Sequence, residues 1–297
     1  MTTTAPYVTA AEFQAYPTYL DLDDLRSGDV SPADQTAELN NLLLISSVWA
    51  DSFCEQPLRA HLVTQNQRAR PDRYGMLKLH ADNSPIISVL SVSYGYTPTA
   101  MTTLSNLTGL WIEDGRQVVL PLSGNVGPWS GSLQFGIPMA GQDLFVSWQY
   151  LAGFASTTTS GTTAAGATSI GVADPIGIVA GRQYRIWEPG VEETVTVSPS
   201  YVPPVVTVPA SATAVPLASP ALFAHGADAG WSELPADAHV AIINYATALL
   251  MRPDNAHEDS FPDTRMASGT RQADSRQDGS GLIEEAERIL DVYRRVR

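Results

Sequence analysis

Five histidines, one cysteine and many carboxylates are the residues that could do chemistry in this 297-residue chain. Two metal ligands on one helix face need an H-x-x-x-H step, so that both imidazoles project from successive turns. His225, His239 and His257 stand too far apart for that, and no H-E-x-x-H occurs. His257-Glu258-Asp259 offers three ligating groups in a row, but in a polar stretch where a solvated loop is the simpler reading. A nucleophile needs a base beside it, and there is no Gly-x-Ser-x-Gly elbow, P-loop or Gly-x-Gly-x-x-Gly turn. A pair of carboxylates distant in the chain could hydrolyse a glycoside. Trp111, Trp129, Trp148, Trp187 and Trp231 could line a sugar platform, although tryptophans on strands more often anchor cores. The residues nominate no catalytic group, no metal site and no cofactor.

Composition narrows the classes further. With 44% hydrophobic residues the chain can bury a real core, and its length suits about two domains. A formal charge of −14 argues against gripping nucleic acid, which takes clustered Lys and Arg, though not against DNA passing nearby. The charge is uneven: residues 261–297 carry seven acidic and seven basic side chains, so the whole excess lies in the first 260. Lys78 is the only lysine. Cys54, the only cysteine, excludes an intrachain disulfide, and nothing indicates an oxidising compartment. With no leader pattern after Met1 and no long apolar run, synthesis and folding in a cytoplasm and no membrane partner are expected.

The elements that must position these residues follow from capping and periodicity. Thr9-Ala10-Ala11-Glu12 has the capping-box pattern, and Pro17 ends that turn. Ser31-Pro32-Ala33-Asp34 starts a helix expected to run to about Gln56. Leu39, Leu42, Leu43, Trp49, Ala50 and Phe53 form one face of it. Leu44, Ile45 and Val48 lie outside that stripe, which implies burial on two sides, inside a bundle or against a neighbouring subunit. From Leu62 the period changes to two, with strands expected at 76–80, 86–94, 110–113, 116–121, 132–136 and 144–150. Ile87, Val89 and Ser91 show the clearest alternation, Asp72-Arg73-Tyr74-Gly75 reads as a turn, and Asp114-Gly115 as a tight hairpin. Residues 155–167, small and polar, read as a flexible linker. Strands at 168–173, 182–187, 191–198, 204–208 and 213–217 then read as a small barrel or sandwich. Helical spacing returns after Pro235 through Ile242, Tyr245, Ala246, Leu249 and Leu250, and Pro253 is expected to stop it. A last helix carries Leu282, Ala286, Ile289, Tyr293 and Val296 on one stripe.

The fold class expected is α+β: a helical bundle body with an antiparallel sheet and an inserted β barrel or sandwich module. The division is 1–154 for the helical body with its sheet, 155–225 for the inserted module and 226–253 for the helix completing the body. A flexible linker, 254–280, and a C-terminal docking helix, 281–297, follow.

Several segments, in order, resemble the head-to-tail connector (adaptor) proteins of tailed bacteriophages. They are Tyr7-Val8-Thr9-Ala10-Ala11-Glu12-Phe13, Trp49-Ala50-Asp51-Ser52-Phe53-Cys54 with Gln56-Pro57-Leu58, and Arg73-Tyr74-Gly75-Met76-Leu77-Lys78-Leu79. Pro85-Ile86-Ile87-Ser88-Val89, Trp148-Gln149-Tyr150-Leu151-Ala152-Gly153-Phe154 and Arg288-Ile289-Leu290-Asp291-Val292-Tyr293-Arg294-Arg295 complete the set. The likeness covers most of 7–154 and 235–297, while the strand-rich insert departs from the smallest members of that family. It implies a structural virion protein: a ring subunit, dodecameric in that family, seated between the capsid portal and the stopper or tail-completion protein. DNA would pass through the ring in genome packaging and ejection. On this reading Leu282, Ile289, Tyr293, Arg294, Arg295, Val296 and Arg297 dock on the portal or a neighbour, and Leu44, Ile45 and Val48 form the subunit interface. A carbohydrate-binding or surface-adhesion module is the alternative from another class, and a hydrolase the third. Elemental analysis of the purified protein is expected to give no stoichiometric transition metal, and finding one would overturn the reading of a chain without a metal site.

Overall fold

The structure is a computed structural model that describes residues 5–18, 20, 22, 31–72, 76–121, 143–206, 210–259 and 279–295, with side chains from 252 to 259 excepted. The strand expected at 132–136, Trp129, Val296, Arg297, the end of the 204–208 strand and most of the 254–280 segment lie outside the described residues, as do 73–75 of the first turn. The chain divides into two compact units, one of residues 60–154 with 295–297, the other of residues 1–59 with 155–294.

The unit of residues 60–154 contains β1 (His61–Ala69), β2 (Met76–His80), β3 (Ile86–Thr97), β4 (Ala100–Thr103), β5 (Trp111–Glu113), β6 (Gln117–Pro121) and β7 (Leu144–Ala152). They form a four-stranded sheet, β1-β7-β3-β4, and a three-stranded sheet, β2-β6-β5, both antiparallel. Leu77, Leu79, Val118 and Leu120 of the smaller sheet share one core with Val92, Leu144, Val146, Trp148 and Tyr150 of the larger. The Asp114-Gly115 hairpin is present. Both residues have positive φ, 50° and 65°, and Glu113 pairs with Gln117, the backbone twist that a tight hairpin needs. The alternation read in β3 is broken: Ile86, Ile87 and Val92 are buried while Leu90 is exposed. Register shifts at 86/88 and 89/91 insert extra residues and turn the strand over.

The second unit holds four helices, α1 (Ala10–Ala15), α2 (Pro32–Cys54), α3 (Ala236–Asp259) and α4 (Ser280–Leu290). It also holds β8 (Ser156–Thr158), β9 (Ser169–Val172), β10 (Gln183–Trp187), β11 (Glu193–Thr196), β12 (Thr213–Pro216) and β13 (Gly230–Ser232). Ser31 and Asp34 form a complete capping box at the head of α2, with Pro32 in the first turn. Glu55, with φ of 56°, closes that helix in the left-handed conformation. Strands β11-β10-β13-β8 form one sheet and β12-β9 another. Ile170, Val172 and Val215 from the pair pack in one core with Tyr184, Ile186, Val195 and Trp231 from the four.

The fold is α+β, but several finer expectations need correction. Strands outnumber α-helices thirteen to four among the described residues, with no helical bundle body evident: α2, α3 and α4 pack on one another within a unit that carries six strands as well. Strands 155–232 do not close into a barrel among the described residues, because they split between two sheets. The sheet expected to belong to the helical body is instead a unit by itself, and the strands after 155 group with the helices. Residues 155–167 are not a linker either. Ser156–Thr158 pair with β13, Thr163 bridges His225, and Thr159 donates its hydroxyl to the Gly226 carbonyl. β-branched threonines suit a strand, which outweighs the small-residue composition. Helix α3 runs on through Pro253 to Asp259: proline has a helix-compatible φ, and its cost is one missing N–H to the preceding turn. The last helix is shorter than 281–297, ending at Leu290 and followed by a 3-10 turn, Asp291–Tyr293.

The segment ahead of α1 is tied to α2 through Ser47, which accepts the Tyr7 N–H at 3.1 Å, and through the Asp51 carboxylate. Asp51 accepts the Tyr7 hydroxyl at 2.7 Å and the Leu58 N–H at 2.9 Å, while the Tyr7 oxygen accepts the Arg59 N–H at 3.0 Å. Replacing Asp51 with Ala strands both donors, so a loss of about 1–3 kcal/mol is expected. Urea unfolding of D51A against the parent chain measures it.

Candidate functional site: helix surfaces and two buried histidines

Helix α2 carries apolar residues around its whole circumference. Leu39, Leu43, Ser46, Ser47, Ala50 and Cys54 are its buried face. The serines fit there because Ser46 and Ser47 donate to the carbonyls of Leu42 and Leu43 one turn back. A second face turns to α3, where Trp49 stacks on Tyr245 with ring centroids 3.8 Å apart. Leu44, Ile45 and Val48 lie at i, i+1 and i+4 on the face away from the buried stripe. Leu44 and Val48 are half-buried there, and Ile45 is 51% exposed. These are the three side chains that the sequence nominated for an interface.

Helix α4 already has a partner surface within its own chain, packing on α3 and α2. Ala286 and Leu290 are its buried residues, and a Cβ at Gly279, just ahead of it, would come within 3.1 Å of Ala248. Of the nominated docking residues, Leu282, Ile289 and Tyr293 are half-buried. Tyr293 donates to Asp237 at 2.8 Å, and its carbonyl accepts the Gln56 side-chain amide at 2.7 Å. Desolvation, joined by the Asp237 hydrogen bond, pushes its phenol well above the ordinary tyrosine value. Arg294 pairs with Glu55 at 3.5 Å and lies over the Phe53 ring. Arg295, grouped with the 60–154 unit, pairs with Asp82 at 2.7 Å. Beside them Val292 is 72% exposed.

Two histidines that sequence spacing left unassigned sit in the unit of helices and strands β8–β13, each against carboxylates. The His225 side chain is fully buried, with Nδ1 2.8 Å from Glu188 and Nε2 2.7 Å from Glu193. Both ring nitrogens are thereby engaged by carboxyl groups. Glu193 also accepts the Leu222 N–H and Glu188 the Gly226 N–H, which fixes the loop around His225. His239 on α3 places Nδ1 2.7 Å from Glu12 of α1, and its ring stacks on Trp187 of β10 at 4.4 Å. The Glu12 expected to complete a capping box at Thr9 reaches His239 instead, and only the Thr9 hydroxyl caps, accepting the Glu12 N–H. Neither arrangement was readable from spacing, since the partners of His239 lie on other elements.

The remaining candidates separate. Trp148 and Trp231 are fully buried, Trp187 is covered by His239, and Trp111, 43% exposed, donates its N–H to Glu113. Trp148 and Trp231 are buried rings that cannot stack on a sugar, so the five tryptophans do not form one shared platform. The side chains of His257, Glu258 and Asp259 lie outside the description. Among the described residues no three His, Cys, Asp or Glu side chains converge to hold a metal ion, and no helix is long and apolar enough to cross a membrane.

No family model matches this chain, and no curated protein matches it. Among solved structures, a chain in the neck of an empty gene transfer agent (GTA) particle, computed with C6 symmetry, is similar at 14% identity and a TM-score of 0.32. The likeness covers 99% of this chain and 97% of that one. At that score it transfers neither fold nor role.

Cys54 is buried under α4, its thiol 3.7 Å from the Leu290 carbonyl. Burial, reinforced by Asp51, pushes that thiol up to about 12. Thiolate is the reactive form, so Ellman's reagent at pH 8 is expected to leave Cys54 untouched in the folded chain and to react fully in denaturant.

Proposed function

We propose that this chain is a structural subunit of the neck of a tailed-phage-like particle. Copies form a ring, dodecameric by the resemblance, that joins the capsid portal to the stopper or tail-completion protein and lets DNA pass through. On this reading it is not an enzyme, and it resides in the virion at the head–tail interface. The observation that carries the proposal is the uncovered apolar face of α2, where Ile45 stands 51% exposed between the half-buried Leu44 and Val48. A helix with one face on the core and a second on α3 gains nothing in a monomer from a third apolar face. Covering such a side chain in a neighbour is favourable by roughly 1.5–3 kcal/mol before ordering costs.

Two further features support the reading. The ordered run of segments that resembles the adaptor family includes α2 and the C-terminal Arg288–Arg295, whose outer side presents Val292 and Arg288. The excess of acidic side chains, −14 overall, suits a passage that must not hold DNA. On this reading the C-terminal segment meets the portal through its outer side, since Ala286 and Leu290 are buried within the chain.

The test is oligomeric state and capture by portal. The parent chain is expected to form rings by light scattering and electron microscopy. Ile45→Glu with Val48→Glu is expected to yield monomers that melt within a few degrees of the parent. A parent chain that stays monomeric at high concentration and fails to co-sediment with portal rings would sink the proposal.

A further inference from the structure

A cavity of about 210 Å³ opens between α1, α3 and the turn after β10. Ala15, Pro17, Pro189, Val240 and Ile243 give it apolar walls, and Tyr16 and Trp187 add aromatic surface. Three polar side chains complete the lining: Glu12, Glu192 and His239. Drug-sized ligands occupy clefts of roughly 300–1,000 Å³, so this space suits a single side chain.

The polar atoms of the lining are unbalanced in a definite sense. His239 is 2% exposed, and its Nδ1 is engaged by Glu12 Oε1 at 2.7 Å. In the neutral tautomer that donates from Nδ1, Nε2 is an acceptor, and that nitrogen has no hydrogen-bond partner. The second Glu12 oxygen, Oε2, is likewise buried without one. Glu192 adds an exposed carboxylate that holds only the Gly190 N–H of its own turn, at 3.2 Å. Acceptors and negative charge therefore gather here with no cationic side chain among the lining residues. Buried polar atoms without partners are uncommon and call for an explanation. The group that answers this set has several donors, a positive charge and an apolar stem. That describes the guanidinium of arginine, whose planar fork matches carboxylates and whose methylenes suit apolar walls.

We propose that this cavity is a recognition site for an arginine side chain presented by a partner protein. The apolar walls receive the stem, while Glu12 and Glu192 receive the guanidinium. The stack of His239 on Trp187 fixes the floor. The site rests on the cavity and its acceptors, and is independent of whether the chain forms rings.

N-acetyl-arginine amide, titrated into the full-length protein and followed by the Trp187 indole N–H resonance, tests it. The neutral isostere N-acetyl-citrulline amide is the control, and a Trp187→Phe spectrum gives the assignment. Saturable shifts with the arginine probe and none with citrulline are expected. Glu192→Gln, an exposed position whose loss leaves the fold intact, should weaken binding by roughly tenfold, the value of one charge-assisted contact. Equal binding of the two probes, unchanged affinity in E192Q, or no shift at tens of millimolar probe would each overturn the assignment.

Discussion

The unit of residues 60–154 is closed by a backbone hydrogen bond, from the Ala60 N–H to the Phe154 carbonyl at 2.7 Å. The chain leaves the helices at Arg59, builds a two-sheet unit and returns at Ala155, and this bond closes the excursion at its root. Antiparallel pairing of β1 with β7 carries the closure onward from His61 opposite Ala152 to Ala69 opposite Leu144. The exit and re-entry are secured on the helical side as well, where the Tyr7 oxygen receives the Arg59 N–H and the Ala155 carbonyl receives the Glu233 N–H. Each unit has a core of its own, and residues 60–154 enter the chain between α2 and α3.

Several polar side-chain contacts hold distant segments in one place. Glu12 with His239, and His225 with Glu188 and Glu193, join residues far apart in the chain, where a buried polar group left without a partner would be costly. Arg182 and Glu233 form a comparable pair at 3.0 Å beside the re-entry point; there desolvation raises the Glu233 carboxyl more than the arginine lowers it. These groups fix loops and element ends that the short strands β8 to β13 could not fix alone. The surface helices show the reverse economy, with Arg288 and Glu285 pairing at 2.6 Å in solvent, where such contacts contribute little.

What was legible in the sequence was local. Ser31, Pro32 and Asp34 specify the start of α2 through contacts within one turn, and Asp114-Gly115 specifies its hairpin through backbone freedom at two residues. The apolar surplus on α2 was legible too, and the structure shows which part of it stays uncovered: Trp49 stacks on Tyr245 of α3, while Ile45, one turn back, is 51% exposed. Reading failed where a long-range partner overrode a local one. Glu12 is separated by 227 residues from the histidine it binds, and threonines that look like linker become strand once β13 lies beside them. The bulges of β3 defeated its alternation for the same reason, since register is set by the pairing with β7. The two-unit division follows from which strands pair, a property that periodicity in a single segment does not contain.

Lys78 stands on the exposed side of β2, between the fully buried Leu77 and Leu79, and is the only lysine in the chain. Its ammonium is thus a unique side-chain amine at a known position on a sheet whose backbone is locked to β6. With the chain's α-amine blocked, acylating reagents would place one dye, spin label or cross-linker arm on that strand without any engineered residue. Distances measured between copies from that single point would report directly on how many chains assemble and at what radius.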